Sequence, residues 1–309
     1  MTAWVRRRRG IGPVSRITSE QWEETMASHN PIFRFAPSPN GYLHLGHAFS
    51  ALFTEHWARA LGGTFLLRIE DIDPVRSKPV FTEAIFEDLR WLGLAWPEPV
   101  LRQSERLPAY AAAADRLRQL DLLYPCFCSR AEIAAAATGS DPDGAPLYAG
   151  TCRHLPAATI AARLGRGDAV QYRLDTARAL ARTGPLTFTV AQPSPADRPQ
   201  IRYARPERWG DVVLQRKDVP TSYHLSVVVD DAAQGITHVT RGRDLEAATD
   251  LHVLLQFLLG LPSPAYSFHR LIRDAEGRKL AKSKGSTSLR DLRAAGWTAD
   301  DVRRELGLG

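Results

Sequence analysis

The run Arg34-Phe35-Ala36-Pro37-Ser38-Pro39-Asn40-Gly41-Tyr42-Leu43-His44-Leu45-Gly46-His47 constrains this chain more than any other. Residues 32–35 are a short apolar run with the character of a strand. The two prolines and Gly41 that follow enforce a loop, because proline fixes φ and cannot continue a ladder. From Gly46 onward Phe49, Leu52, Phe53, Trp57, Ala60 and Leu61 fall on one helical face. His44 and His47 therefore stand where a strand hands over to a helix, the place where unpaired backbone N–H groups and the positive dipole end collect. Such a place suits a polyphosphate, and Gly46 between the imidazoles lets a nucleotide approach the backbone closely.

The alternation continues downstream. Gly62-Gly63 turns the chain into 64–69, apolar apart from Thr64 and Arg68, the pattern of a strand buried on both faces. It ends in Glu70-Asp71-Ile72-Asp73-Pro74, so carboxylates lie at the carboxyl end of a parallel strand, where doubly wound sheets bind ligands. Helices are expected over 79–92 and 108–122, split by Gln103-Ser104-Glu105-Arg106. Strands are expected at 169–174, 186–190 and 211–214, with the proline-rich stretch 192–200 as a surface loop. Val227–Val229 and 236–240 are expected to be core strands of the second half of the fold. A helix over 247–259 should bury Leu251, Leu254, Leu255 and Leu258, and a last strand should run over 265–268.

Three cysteines, Cys126, Cys128 and Cys152, share one short window. An odd count with no secretory segment argues for a reducing cytoplasm and against a disulfide framework. Three thiols do not complete a tetrahedral zinc site, and the fourth ligand would be Tyr148, His154 or an aspartate. Ligand chemistry alone favours His154, since a phenolate is an unusual partner for zinc.

Composition adds bounds. The 44% hydrophobic and 24% charged fractions are those of an ordinary soluble protein, and no apolar run approaches the roughly 18 residues that cross a bilayer. A net charge of +6 permits a nucleic-acid partner without demanding one. Lysine usage is more telling: the only lysines are Lys78, Lys217, Lys279, Lys282 and Lys284 among 40 basic residues. A chain so biased to arginine that keeps ammonium groups at 279–284 points to a compact, mobile point charge there.

The His-x-Gly-His tetrapeptide resembles the HIGH signature of class I aminoacyl-tRNA synthetases, and 34–41 followed by Leu-His-Leu-Gly-His resembles their glutamyl subgroup. The segment 67–73 with Arg76-Ser77 is similar to the same subgroup, with Ile72 where threonine is common. The resemblance returns at 220–231 and 234–245, and Lys279-Leu-Ala-Lys282-Ser283 resembles the KMSKS loop, with Ala281 where serine is usual.

The resemblance implies that Arg34, Ala36, Ser38, Glu70, Tyr223 and Arg241 bind L-glutamate. It implies that His44, Gly46, His47, Lys279, Lys282 and Ser283 bind ATP with its magnesium, with His44, His47 and Lys282 catalytic. Losing one such stabiliser costs roughly 3 kcal/mol of transition-state energy. The match extends over about 31–295, after which little chain remains for an anticodon-binding region. This points to the glutamyl-queuosine tRNA(Asp) synthetases, which activate glutamate without tRNA and transfer it to queuosine in the tRNA(Asp) anticodon stem-loop. Paralogues of that kind carry a Cys-x-Cys, Tyr-x3-Cys zinc site, which Cys126, Cys128, Tyr148 and Cys152 match, so the resemblance reverses the preference for His154. One structural zinc ion would contribute on the order of 10 kcal/mol to holding its loop.

The expected architecture is α/β: a Rossmann-like parallel sheet with an inserted zinc-containing, acceptor-binding-like subdomain and a short helical C-terminus. The expected divisions are a disordered extension (1–30), the first catalytic half (31–122), the insertion (123–210), the second half with the lysine loop (211–285) and a helical tail (286–309). No membrane partner is expected. The competing readings are a truncated glutamyl-tRNA synthetase charging tRNA(Glu) and a non-catalytic tRNA-binding paralogue.

Overall fold

The structure, a computed structural model, describes residues 30–191, 198–273 and 287–308. Strand β1 (Ile32–Phe35), helix α1 (Leu45–Ala60) and strand β2 (Thr64–Ile69) form the opening unit that the sequence predicts. The two strands run parallel, in register from Ile32 opposite Thr64 to Phe35 opposite Leu67. Gly63 makes this approach possible: a Cβ there would lie 2.3 Å from the Pro31 carbonyl oxygen, which the Thr64 amide reaches at 2.7 Å. Phe49, Leu52 and Trp57 of α1 are buried, whereas Ala60, expected on the same face, is exposed at the last turn.

Helix α2 (Pro79–Trp91), strand β3 (Leu101–Arg102) and helix α3 (Leu107–Gln119) follow, each helix carrying a proline in its first turn, where the missing N–H costs nothing. The chain then builds a small antiparallel sheet from β4 (Leu123–Cys126), β5 (Gln171–Leu174) and β8 (Val213–Gln215). Helices α4 (Arg130–Ala136), α5 (Ala157–Gly165) and α6 (Thr176–Thr183) lie between these strands in sequence. Within the same stretch, β6 (Thr187–Val190) and β7 (Gln200–Tyr203) leave the small sheet. They join a seven-stranded main sheet ordered β3-β2-β1-β9-β10-β6-β7, whose β9 (His238–Gly242) and β10 (Ala265–His269) complete the second half. Every neighbouring pair in it is parallel except β6 with β7.

Several expectations differ from the fold. The insertion does not coincide with 123–210: β6 and β7 belong to the main sheet by hydrogen bonding, and β8, expected in the second half, pairs with β5 of the small sheet. The expected loop 192–200 gives way to strand at Gln200, while 192–197 lie outside the described residues. Val227–Val229 are not a strand but the middle of helix α7 (Tyr223–Ala233). Ser222 caps that helix by accepting from the Leu225 amide, and Leu225, Ser226, Val227, Val228, Asp230 and Asp231 are all buried. A helix buried nearly all round loses the period that distinguishes it from a strand, and packing overrides the β preference of valine. The following strand begins at His238 rather than at 236.

Helix α8 (Ala248–Leu259) is likewise almost entirely buried, and its Leu251, Leu254 and Leu255 pack with Val227, Val228 and Tyr266 on one face of the main sheet. A second cluster joins Phe33, Phe49, Leu52, Trp57 and Leu67 to the short helices α9 (Leu289–Ala294) and α10 (Ala299–Glu305) through Leu289, Leu292 and Val302. Each such fully buried side chain stabilises the fold by about 1.5–3 kcal/mol. Among the described residues no helix is long and apolar enough to cross a membrane.

Candidate active site

Strand order reverses between β1 and β9, and the crevice outside the carboxyl ends of the strands at such a point is where open α/β sheets hold ligands. A cavity of about 430 Å³ lies there. It is lined by Arg34, Ala36, Ser38, His44, Gly46, His47, Glu70, Tyr223 and Arg241, so the fold brings together every described residue that the sequence singles out for glutamate or ATP. Lys279, Ala281, Lys282 and Ser283 lie outside the described residues, as does the extension up to residue 29. The described flanks of the lysine segment adjoin the cavity: Ile272 lines it, and Ser288 bridges His44 while the Leu289 amide donates to the Leu43 carbonyl at 2.8 Å.

The two histidines cap α1 themselves. His44 Nδ1 accepts from the Gly46 amide at 3.0 Å, and His47 Nδ1 accepts from the His44 amide at 3.2 Å. A ring nitrogen that accepts carries no proton, so in the neutral imidazoles Nε2–H is the donor. The rings lie 3.9 Å apart, and a side chain at Gly46 would meet His44 Cε1 at 2.9 Å. The glycine thus preserves the geometry of the pair, and the helix start offers two N–H donors suited to phosphate oxygens.

A buried charge network forms the floor of the cavity beneath Arg34 and Glu70. Arg34 Nε and Nη2 donate to the two Asp231 oxygens at 2.9 and 3.3 Å, and Arg68 Nη1 donates to Asp231 Oδ1 at 2.7 Å. Arg68 Nη2 donates to Glu70 Oε1 at 3.1 Å. Burial alone would push the Asp231 carboxyl up, but Arg34 and Arg68 together hold it below the usual carboxylate range. Burial pushes Glu70 up, with Arg68 and Arg34 only partly offsetting it, so a bound ammonium would find a carboxylate with room to be stabilised. Arg34, expected to offer its guanidinium to the substrate, thus spends one edge on Asp231 and a long 3.5 Å bond from Nη1 on the Thr240 carbonyl, while still lining the cavity.

Across the cavity, Arg241 Nη2 donates to Thr249 Oγ1 at 2.5 Å and Nη1 lies 3.1 Å from His252 Nδ1, while His252 Nε2 lies 3.2 Å from His224 Nδ1. The sequence does not single out Asp231, Arg68, His252 or His224. Their only signal is a polar residue inside an apolar run, as with Arg68 between Leu67 and Ile69 and His252 between Leu251 and Val253.

The cysteines converge at the end of β4. The Sγ atoms of Cys126, Cys128 and Cys152 all lie within 4.8 Å of one another. The Tyr148 hydroxyl lies 3.4 Å from Cys126 Sγ and 3.7 Å from Cys128 Sγ, and accepts from the Cys152 amide at 2.8 Å. His154 is exposed and outside the cluster. Burial pushes the Cys126 thiol up, but hydrogen bonds with Tyr148 and Gln171 bring it down to about 7. Three soft sulfur donors and one phenol oxygen around a common point fit a closed four-coordinate zinc site.

Residues 32–306 match the family described as class I tRNA synthetases (E and Q), catalytic domain. The glutamyl-Q tRNA(Asp) synthetase of Rhodobacter capsulatus is 50% identical over 90% of this chain and 100% of its own length, and that of Nocardia farcinica is 44% identical over 87% and 81%. The glutamate–tRNA ligase of Prochlorococcus marinus is 40% identical over 89% of this chain and 57% of its own. Among solved structures, a glutamate–tRNA ligase from Elizabethkingia meningosepticum, in complex with its amino acid, superposes with a TM-score of 0.63 at 29% identity, covering 87% of this chain and 54% of that one. The chain therefore spans little more than half the length of the glutamate–tRNA ligases it matches.

Proposed function

Because this chain belongs to the class I tRNA synthetases (E and Q) through their catalytic domain, we propose that it activates L-glutamate with ATP and transfers the glutamyl group to queuosine in the anticodon stem-loop of tRNA(Asp). The observation that carries the activation step is the composition of one cavity: arginines 34 and 241, the Glu70 carboxylate and the histidine pair at a helix start. Arg34 and Arg241 suit the side-chain carboxylate, and leaving Arg241, which has no carboxylate partner among the described residues, unmatched penalises glutamine. Glu70 suits the ammonium, and Ser38 and Tyr223 supply neutral hydrogen bonds.

Activation then needs no protein nucleophile. The α-carboxylate attacks the α-phosphorus, pyrophosphate leaves, and the Nε2–H groups of His44 and His47 meet the charge that develops on the phosphate oxygens. Magnesium travelling with ATP would neutralise the phosphates. By resemblance Lys279, Lys282 and Ser283 belong to the same task. A queuosine hydroxyl next attacks the acyl carbon and AMP departs. Cys126, Cys128, Tyr148 and Cys152 would hold a structural zinc ion, all four positions filled and no water activated.

The choice of queuosine over a tRNA terminus rests on kinship, with 50% identity to a glutamyl-Q tRNA(Asp) synthetase against 40% to a glutamate–tRNA ligase. Two assays test the proposal. Glutamate-dependent ATP–pyrophosphate exchange is expected without any tRNA, and labelled glutamate is expected on tRNA(Asp) that carries queuosine but not on tRNA(Asp) lacking it. Loading of tRNA(Glu) instead would replace this reading with that of a glutamate–tRNA ligase.

A further inference from the structure

We infer that His252, backed by His224, is the positioning residue that aims Arg241 at the amino acid; the inference rests on the reading of Arg241 as a glutamate contact. A guanidinium can only donate. The 3.1 Å contact with Arg241 Nη1 therefore makes His252 Nδ1 an acceptor and leaves the ring proton on Nε2. That N–H faces His224 Nδ1 at 3.2 Å, which must accept in turn, so His224 carries its own proton on Nε2. One cation thereby fixes the tautomers of two imidazoles in series, and the order of donation runs from Arg241 through His252 to His224.

The surroundings favour that single arrangement. Arg241 and His252 are buried, and burial followed by the nearby Arg241 charge keeps both imidazoles neutral, His224 falling to about 4 and His252 well below its ordinary value. Thr249, one helical turn before His252 on α8, takes the other terminal nitrogen of Arg241. The guanidinium carbon sits 5.1 and 5.9 Å from the ring centres of Tyr266 and Phe268, and Nε has no hydrogen-bond partner among the described residues. Two N–H groups are thus spent on α8, and Nη1 and Nη2 each keep a second N–H for a carboxylate in the cavity that Arg241 lines. Tyr223 leans on the same support, its ring centre 5.3 Å from that of His224 and 5.7 Å from that of His252. Two of the residues assigned to glutamate therefore rest on one pair of imidazoles, His252 buried and His224 half-buried.

A packing role and a positioning role separate by substitution. His252→Asn keeps an oxygen acceptor near the Nδ1 position, His252→Gln keeps polarity only near Nε2, and His252→Leu keeps volume alone. In glutamate-dependent ATP–pyrophosphate exchange, His252→Leu is expected to raise KM for glutamate roughly tenfold to a hundredfold, the worth of a hydrogen bond to a charged group. KM for ATP should stay within about twofold, because the hydrogen bond removed lies at the other end of the cavity. His252→Asn should recover most of the loss and His252→Gln little of it.

An unchanged KM for glutamate in His252→Leu, or His252→Asn no better than His252→Gln, overturns the inference. If His252→Leu does not fold, the Asn and Gln variants decide between the same outcomes. Arg241→Ala separates the positioning role from the glutamate reading beneath it. A large rise in KM for glutamate in Arg241→Ala with none in His252→Leu removes only the positioning role, whereas no rise in Arg241→Ala removes the glutamate reading and this inference with it.

Discussion

The floor of the cavity and the thiol cluster of the small sheet both gather ionisable groups away from water, yet they differ in what they need from outside. On the floor, guanidiniums and carboxylates of opposite charge pair directly: Asp231 binds both Arg34 and Arg68, and Arg68 binds Glu70, while Arg68 Nε has no hydrogen bond among the described residues. In the cluster, three thiols and a phenol share hydrogen bonds among groups of one kind, with Arg173 stacked 3.9 Å above the Tyr148 ring. Opposite charges can be organised by the chain alone. A set of donors that must all ionise to act as ligands reaches its full stability only with a cation among them.

The first way to break this comparison is to remove the carboxylate at its centre. Asp231→Ala leaves Arg34 and Arg68 buried against each other. Urea unfolding is expected to report a loss of about 3–5 kcal/mol, with glutamate-dependent exchange falling below detection. Stability equal to that of the parent would mean that the floor is not organised by Asp231.

The second test acts on the cluster. Cys152→Ser, or treatment with a strong chelator, is expected to take the zinc content from one ion per chain to near none. The loss of global stability should be only about 1–3 kcal/mol, because the ion acts on its own loop and the two main apolar cores do not rest on it. KM for glutamate should hold within about twofold, because the two regions share no hydrogen-bond partner among the described residues. Metal analysis and calorimetry on the same samples check both, and full stability in metal-free protein would make the cluster three free thiols, two of them buried, and nothing more.

The smallest effect has the opposite sign. Asp88 on α2 is buried, neither of its carboxylate oxygens has a hydrogen bond among the described residues, and Arg293 approaches only to 3.8 Å. Burial raises its carboxyl from 3.8 to about 6. A raised value in the folded state means the fold holds the proton more tightly than the unfolded chain does. The group therefore costs nothing below about pH 4, and its cost grows as pH rises through about 6. Asp88→Asn should stabilise the protein by about 1–2 kcal/mol at pH 8 and hardly at all at pH 4, as thermal unfolding at the two pH values would read. A destabilised variant at pH 8 would show that Asp88 is paired after all, as the floor carboxylates are.

The parts of the site legible in the sequence are those written locally. His44 and His47 announce themselves by standing between a proline-bound loop and an amphipathic helix, and Glu70 by ending an apolar strand. Asp231 and His252 do not, because a buried polar residue within an apolar helix looks in sequence like any other packed position. Their meaning comes from partners brought close by folding, as with Arg34, 197 residues away from Asp231. The same blindness produces the misplaced strand: three valines read as β until Ser222 and the surrounding helices are in view. Tyr148 illustrates a third case. Ligand chemistry prefers His154, the resemblance prefers Tyr148, and the geometry sets the phenol beside the sulfurs with the imidazole outside.

Strands β6 and β7 carry a consequence of their own. They extend the main sheet past β10, with the Ala191 amide donating to the Tyr266 carbonyl at 2.8 Å, before the chain returns to the small sheet as β8. The sulfur-bearing lobe is therefore sewn into the nucleotide fold by a double crossing of the chain, not hung from it on a tether. Excising it as a cassette would tear away the outer border of the catalytic sheet, and a tug on the lobe from a bound polynucleotide would be felt at β10, one strand from Arg241.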